Sequence, residues 1–67
     1  MASKRVVLHK TGKLEYRTEW NGHLYEIWKE DRQQEVWCIT CDGDSRDGSY
    51  WLRDIRGSIE AGDLEEA

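Results

Sequence analysis

The sequence lacks several residue types and patterns, and each absence narrows the class of protein. It contains no phenylalanine and no proline among its 67 residues. Without proline, its turns must come from glycine, asparagine and aspartate. No hydrophobic run approaches the roughly 20 residues that a transmembrane helix needs. The N-terminus is basic but lacks the apolar stretch and the small-residue cleavage site of a signal peptide. These absences predict a cytoplasmic protein without a membrane span.

Cysteine is also scarce, since the chain contains only Cys38 and Cys41. Cytosolic thiol buffers oppose structural disulfides, and a bridge between these two residues would close too short a loop to restrict the unfolded chain much. We therefore expect both thiols to be reduced.

Large aromatic side chains are what the sequence does have. A chain of 67 residues makes one domain, near the size at which folding buries only about 60% of the unfolded surface. Four tryptophans and three tyrosines compensate, because each buried ring removes roughly 150 to 250 Å² from water. The sequence predicts a single domain over residues 1–67 with a small, aromatic-rich core.

Charge is distributed unevenly along the chain, whose net charge is -4. Residues 42–67 hold eight acids against three arginines, and this balance argues against nucleic-acid binding, which requires clustered lysine and arginine. A nucleic-acid-binding sheet-plus-helix module is kept as an alternative. It would read through the basic residues near the N-terminus, which are Lys4, Arg5, Lys10, Lys13 and Arg17.

Alternating residues on both sides of Asn21-Gly22 predict a β-hairpin. Asn-Gly is the dipeptide that most readily adopts a two-residue type I′ turn. Such a turn places Trp20 opposite His23, and the apolar faces of the two strands then coincide. The other predicted pairs are Thr18 with Tyr25, Tyr16 with Ile27, and Arg17 with Glu26.

A third strand is predicted over residues 35–41, after a polar loop at residues 30–34. If all five polar residues are loop, Ile27 faces Trp37, and Trp37 lies on the inner face of the sheet. A slip of one residue would place Val36 inside instead. The first register is favoured because it buries the large ring of Trp37.

Apolar residues at helical spacing predict a helix over residues 49–61. They are Trp51 or Leu52, then Ile55 and Ile59, and Trp51 is expected to join the core. Asp47 or Ser49 is expected to cap the first turn, and Gly62 to end the helix. The expected fold class is therefore α+β, an antiparallel three- or four-stranded β-meander over residues 13–41 with one C-terminal α-helix packed on one face. Residues 1–12 would form an edge strand or a flexible arm.

The C-x-x-C spacing of the two cysteines matches half of a zinc knuckle, in which thiolates bind the ion from a tight turn. Since the chain has no second such pair, a zinc-stabilised domain would need His23 together with Cys38 and Cys41. An extended strand places these two cysteines on opposite faces, where a free cysteine behaves as a small hydrophobe. We expect no metal and no cofactor, and keep the zinc site as an alternative.

The segment D-G-D-S-R-D-G begins like a calcium-binding loop but soon departs from that pattern. Arg46 occupies the fifth position, and Arg53 stands where a bidentate glutamate is needed. We interpret Asp42, Asp44 and Asp47 as acids of a polar turn that either cap the helix or contact a basic partner.

The outer face of the predicted sheet indicates a binding function. One helix cannot cover both faces, and an exposed tryptophan in an apolar patch is typical of a protein interface, unless residues 1–10 fold over it. The sequence shows no combination of a nucleophile, a base and an acid that would indicate a catalytic site. We predict a non-enzymatic intracellular protein-interaction domain. Its predicted partner-binding residues are Leu24, Trp28, Val36, Asp42, Asp44 and Asp47.

A narrower hypothesis suits the small size and the acidity of the chain. It is a phage-type inhibitor that occupies a basic or apolar surface of a larger host protein, with acidic groups in place of phosphates. The patch that binds another protein would equally suit a second copy of the chain, in a homodimer.

Residues 13–23, K-L-E-Y-R-T-E-W-N-G-H, resemble the strand-turn segment of chromodomains, which also end in a C-terminal helix. The tryptophan-glutamate-proline segment expected soon afterwards is missing. Methyl-lysine recognition is therefore not carried over to this chain.

Overall fold

A computed structural model describes residues 5–65 and shows a five-stranded antiparallel sheet followed by one helix. The strands are β1 (His9–Gly12), β2 (Glu15–Trp20), β3 (His23–Trp28), β4 (Trp37–Cys41) and β5 (Asp44–Ser49), and the helix is α1 (Leu52–Ala61). Each strand pairs with the next one along the chain. The predicted α+β class is confirmed, with five strands instead of three or four.

The hairpin of β2 and β3 has the predicted register. Asn21 and Gly22 turn with φ angles of 50° and 78°, as a type I′ turn requires, and Trp20 pairs with His23. On the outer face an Arg17 nitrogen lies 3.7 Å from a Glu26 oxygen. Local sequence therefore determines this part of the sheet.

The register of β4 differs from the prediction by two residues. Ile27 pairs with Ile39 instead of Trp37, because the preceding loop is longer than the five polar residues assigned to it. The carboxylate of Asp31 organises that loop by accepting the Gln34 amide at 2.9 Å. Side chains alternate with a period of two, so the shift leaves Trp37 on the inner face, where its ring packs edge-on against Tyr16 at 5.7 Å.

The aspartate-rich segment forms a second tight hairpin, so the prediction of a loop between strand and helix is wrong. Asp42 and Gly43 turn with φ angles of 53° and 88°, since Asp-Gly carries the same turn signal as Asn-Gly. The β5 strand that follows is polar because it lies at a sheet edge, where charged residues are common. Its pairing with β4 is irregular between Trp37 and Ile39.

Helix α1 begins three residues later than predicted, at Leu52. The expected caps Asp47 and Ser49 lie in β5, and the N-cap residue is Trp51, which makes no side-chain cap bond. The prediction that Trp51 joins the core is wrong, since 58% of it is exposed. The predicted end at Gly62 is confirmed by its left-handed φ of 79°.

The core lies between the inner face of the sheet and two covering segments, the helix and residues 5–8. Its buried residues are Val6, Tyr25, Ile27, Ile39, Cys41, Ile55 and Ile59. The Val6 amide donates to Glu60 Oε2 at 3.1 Å, which ties the N-terminal segment to α1. Within the described range, no helix is long and apolar enough to cross a membrane.

Candidate functional site

The outer face of the sheet carries the predicted patch in a half-buried form. Leu24, Trp28 and Val36 are each partly shielded from solvent. Val6 and α1 pack with the inner-face residues, so these two segments do not cover the outer face. A shallow depression of about 590 Å³ lies there, lined by side chains that include Trp28, Glu15, Arg17 and Glu26. Its mixed charges favour neither an acidic nor a basic partner.

The predicted acidic residues do not act as one set. Asp42 is engaged in the β4–β5 turn, where Oδ1 accepts the Leu24 amide at 2.9 Å and Oδ2 lies 2.6 Å from His23 Nδ1. The Leu24 amide and the His23 ring lower the pKa of Asp42. Asp44 and Asp47 are exposed on β5. Of the predicted acids, Asp42 therefore stabilises the turn.

Acid should weaken the fold through Asp42. The pKa of Asp42 is lower in the folded chain than in the unfolded one, so the ionised carboxylate stabilises the folded state. This stabilisation is complete above the pKa of a free carboxyl, and it is lost as the pH falls through the lowered pKa of Asp42. Asp42→Asn should therefore reduce the urea midpoint at neutral pH, and the difference from wild type should narrow with acidification. Asp44→Asn, which removes an equal charge, is the control. An unchanging difference down to strong acid would contradict this role.

Two of the three residues of the zinc hypothesis come together, at the end of the sheet that holds the two tight turns. His23, Cys41 and Asp42 each present one ligand atom, and these atoms all lie within 4.8 Å of one another. Cys38 pairs with Trp28 on the outer face, away from this cluster. The structure thus replaces Cys38 of the predicted set with Asp42.

Tyr25 lies beside this cluster and is fully buried. Among the described residues its hydroxyl makes no hydrogen bond of ordinary geometry, and the Cys41 thiol beside it is a weak acceptor. Burial, followed by the neighbouring Cys41 thiol, raises the pKa of the phenol, so the hydroxyl stays protonated at any physiological pH. A buried donor without a strong acceptor is uncommon in proteins and calls for an explanation.

A second concave surface, absent from the sequence-based predictions, lies between residues 5–8 and α1. We call it the arginine groove. Its volume is about 400 Å³, and its lining consists of Arg5, Val6, Val7, Leu8, Leu52, Arg53 and Arg56. Val7 is 59% exposed, and the Arg53 guanidinium lies 5.5 Å from the Trp51 ring centroid. An exposed tryptophan, Trp51, therefore lies next to the groove, beside Arg53.

The sequence could have predicted only part of the arginine groove. Arg53 and Arg56 are three residues apart, which places them on one side of a helix. The approach of Arg5 depends on how the N-terminal segment packs against α1, and no local pattern specifies that packing.

The basic residues of the nucleic-acid alternative are dispersed. Lys10 pairs with Tyr16, whereas Arg17 pairs with His9, so Lys10 and Arg17 point to opposite faces of the sheet. Arg5 lines the arginine groove, and Lys4 lies outside the described residues. The described part of this set forms no continuous basic surface.

Comparison with known proteins adds no relative from which a function could be transferred. A scan against protein-family models gives no match, and searches of curated proteins and of solved structures find no significant similarity.

Proposed function

We propose that this chain is a protein-interaction domain that binds an acidic segment of another protein, with an apolar anchor residue, in the arginine groove. The observation that carries the proposal is the position of Trp51. It occupies the N-cap of α1 without capping it and leaves 58% of its surface in water.

The N-cap position shows why Trp51 is unusual. Serine, threonine, aspartate and asparagine are preferred there, and such a cap contributes about 1 kcal/mol. Trp51 gives up that stabilisation, and 58% of it stays exposed. Departures from local folding preference are expected at functional positions, which supports a binding role for this side chain.

Charge and residue type support an acidic partner. Arg5, Arg53 and Arg56 line one groove on a chain whose net charge is -4, so the groove is basic against an acidic background. Tryptophan, tyrosine and arginine are the residue types that contribute most to protein interfaces. Tyr50, adjacent in sequence to Trp51, is 60% exposed. Exposed apolar residues beside the arginines favour a protein partner over a nucleic acid.

The outer face remains a second surface for the same function. Leu24, Trp28 and Val36 were predicted to bind a partner together with the acids of the β4–β5 hairpin, and the open depression beside Trp28 supports contact there. The phage-type inhibitor hypothesis belongs to this surface. Its support is weaker, because the apolar side chains are half-buried and Asp42 is engaged in the turn.

Trp51→Ser separates binding from folding. The new cap should add about 1 kcal/mol, while loss of the contact with Arg53 should cost about 0.5 to 1 kcal/mol. The free energy of unfolding, measured in urea, should therefore stay equal or rise. Binding should weaken roughly thirtyfold, which corresponds to the loss of an interface hot spot of about 2 kcal/mol.

The probe for this test is a random peptide display library selected on the wild-type protein. We expect enrichment of peptides that combine aspartate or glutamate with a large apolar residue. Titration of a selected peptide should show weaker binding to Trp51→Ser and Arg53→Glu, and unchanged binding to Trp28→Ala and Lys13→Glu. Selection of basic peptides would contradict the proposal, and loss of binding in Trp28→Ala alone would transfer the function to the outer face. Tight binding to duplex DNA that Arg53→Glu abolishes would favour the nucleic-acid alternative.

A further inference from the structure

We propose that His23, Cys41 and Asp42 form a zinc-binding site, which we call the turn site. The two tight turns of the sheet lie at the same end, so the first residue of β3, the last residue of β4 and the β4–β5 turn meet there. Their ligand atoms already lie within 4.8 Å of one another. Imidazole, thiolate and carboxylate are the three ligand types that zinc takes in proteins.

The spacing of these atoms is close to what zinc requires. Bond lengths of about 2.0 to 2.3 Å at tetrahedral angles separate neighbouring ligand atoms by about 3.3 to 3.6 Å. The distance from His23 Nδ1 to Asp42 Oδ2 is 2.6 Å, and that from Cys41 Sγ to Asp42 Oδ2 is 3.9 Å. An ion between them would widen the first distance and shorten the second, each by less than about 1 Å. The remaining separation, from His23 to Cys41, is within 4.8 Å and would shorten by up to about 1.3 Å.

Asp42 is already oriented as a metal ligand. The Leu24 amide holds Oδ1 at 2.9 Å, which leaves Oδ2 directed at His23. Hydrogen bonds of this kind fix ligating carboxylates in metal sites. An ion bound there would replace the short hydrogen bond between Asp42 and His23.

The buried hydroxyl of Tyr25 is an independent observation in favour of a ligand. Among the described residues it makes no hydrogen bond of ordinary geometry, and its neighbour is the thiol of Cys41, which pairs with Tyr25 across β3 and β4. A thiol accepts hydrogen bonds weakly, whereas a zinc-bound thiolate carries charge and accepts them strongly. Metal binding would therefore turn the weak acceptor beside Tyr25 into a strong one.

The charge of the ligands and the exposure of the turn site to solvent also suit zinc. One thiolate and one carboxylate neutralise a divalent ion, and a thiolate with an imidazole favours zinc over magnesium or calcium. The His23 and Asp42 side chains are 32% and 50% exposed, so the ion reaches the buried Cys41 from solvent. Arg46 lies near Asp42, but its Nε donates to the Leu64 carbonyl at 2.8 Å. Three protein ligands leave a fourth position for water.

Cobalt titration of the metal-free full chain tests the turn site, because cobalt bound to a thiolate shows charge-transfer absorption and zinc displaces it. We expect one cobalt per chain and displacement by one zinc. Cys41→Ser should abolish the thiolate band, and His23→Gln should weaken binding at least tenfold. Cys38→Ser is the matched control, with a cysteine on the opposite face, and should bind like wild type.

Tyr25→Phe distinguishes a positioning role from a purely structural one. It should weaken zinc binding by about tenfold to a hundredfold, while the urea midpoint of the metal-free protein stays equal or rises. Circular dichroism of each variant establishes that it is folded. The proposal would be overturned by a wild-type titration without a thiolate band, or by a band that survives in Cys41→Ser and disappears in Cys38→Ser.

Discussion

Alanine at Gly48 is expected to lower the free energy of unfolding by at least about 2 kcal/mol, near the upper part of the range for overpacking. A Cβ at this position would overlap the backbone carbonyl oxygen of Trp37 and would stand 3.0 Å from a Val36 methyl group. Neither can withdraw easily, because Trp37 is held in β4 and Val36 is half-buried. The irregular pairing of β4 and β5 between Trp37 and Ile39 thus depends on a residue without a side chain.

Gly57 provides the matched control for this substitution. It lies in the middle of α1, where an added Cβ meets nothing within 4 Å, and alanine favours a helix by about 1 kcal/mol over glycine. Gly57→Ala should therefore raise the free energy of unfolding while Gly48→Ala lowers it, in urea titrations under the same conditions. Equal effects of the two substitutions would show that Gly48 does not sit against β4 as described.

Ile59→Ala is expected to cost about 2 to 5 kcal/mol, the usual range for a large-to-small change in a core. Ile59 is fully buried where α1 meets the sheet. A 67-residue chain has a total stability of only about 3 to 10 kcal/mol, so this one change removes a large part of it. The helix is sensitive because it lacks an N-terminal side-chain cap and contains Gly57, so its stability comes mainly from docking.

Thermal and urea unfolding of three variants measure this dependence. Ile59→Val should cost about 0.5 to 1.5 kcal/mol, and Val7→Ala, at a residue that is 59% exposed, should change stability by less than about 0.5 kcal/mol. If Ile59→Ala were as mild as Val7→Ala, the helix would not pack on the sheet at this residue.

Local signals explain which parts of the fold could be predicted. Asn21-Gly22 determines both the turn and the register of β2 against β3, because a two-residue connection leaves no freedom in pairing. The loop before β4 is longer and irregular, so the predicted pairing of Ile27 with Trp37 was wrong by two residues. Alternation nevertheless placed Trp37 on the correct face, since a shift of two residues preserves the side-chain pattern.

The missed strand has a different cause. Strand β5 reads D-S-R-D-G-S, which has no apolar alternation, and its polarity resembled a loop. The Asp42-Gly43 turn was the available signal for pairing, and it carries the same chemistry as Asn21-Gly22. Edge strands escape pattern-based prediction because one side of their backbone faces water and their side chains need not be buried.

Neither candidate site was readable as a whole from the sequence. His23 and Asp42 are 19 positions apart, and their contact follows from the alignment of two hairpin turns. The arginine groove combines Arg5 with Arg53 and Arg56, which only tertiary packing brings together. In each case the residue types indicated what the site could bind. Which of these residues lie close together could be known only from the tertiary structure.

The strand order also has a kinetic consequence. Since every strand pairs with its neighbour in sequence, the sheet closes only short loops, and such local contacts accompany rapid folding. The bond from the Val6 amide to Glu60 spans 54 positions, and loop-closure entropy grows with that separation. The entropic cost of long-range closure is therefore concentrated where the N-terminal segment meets α1, while the sheet itself assembles through local steps.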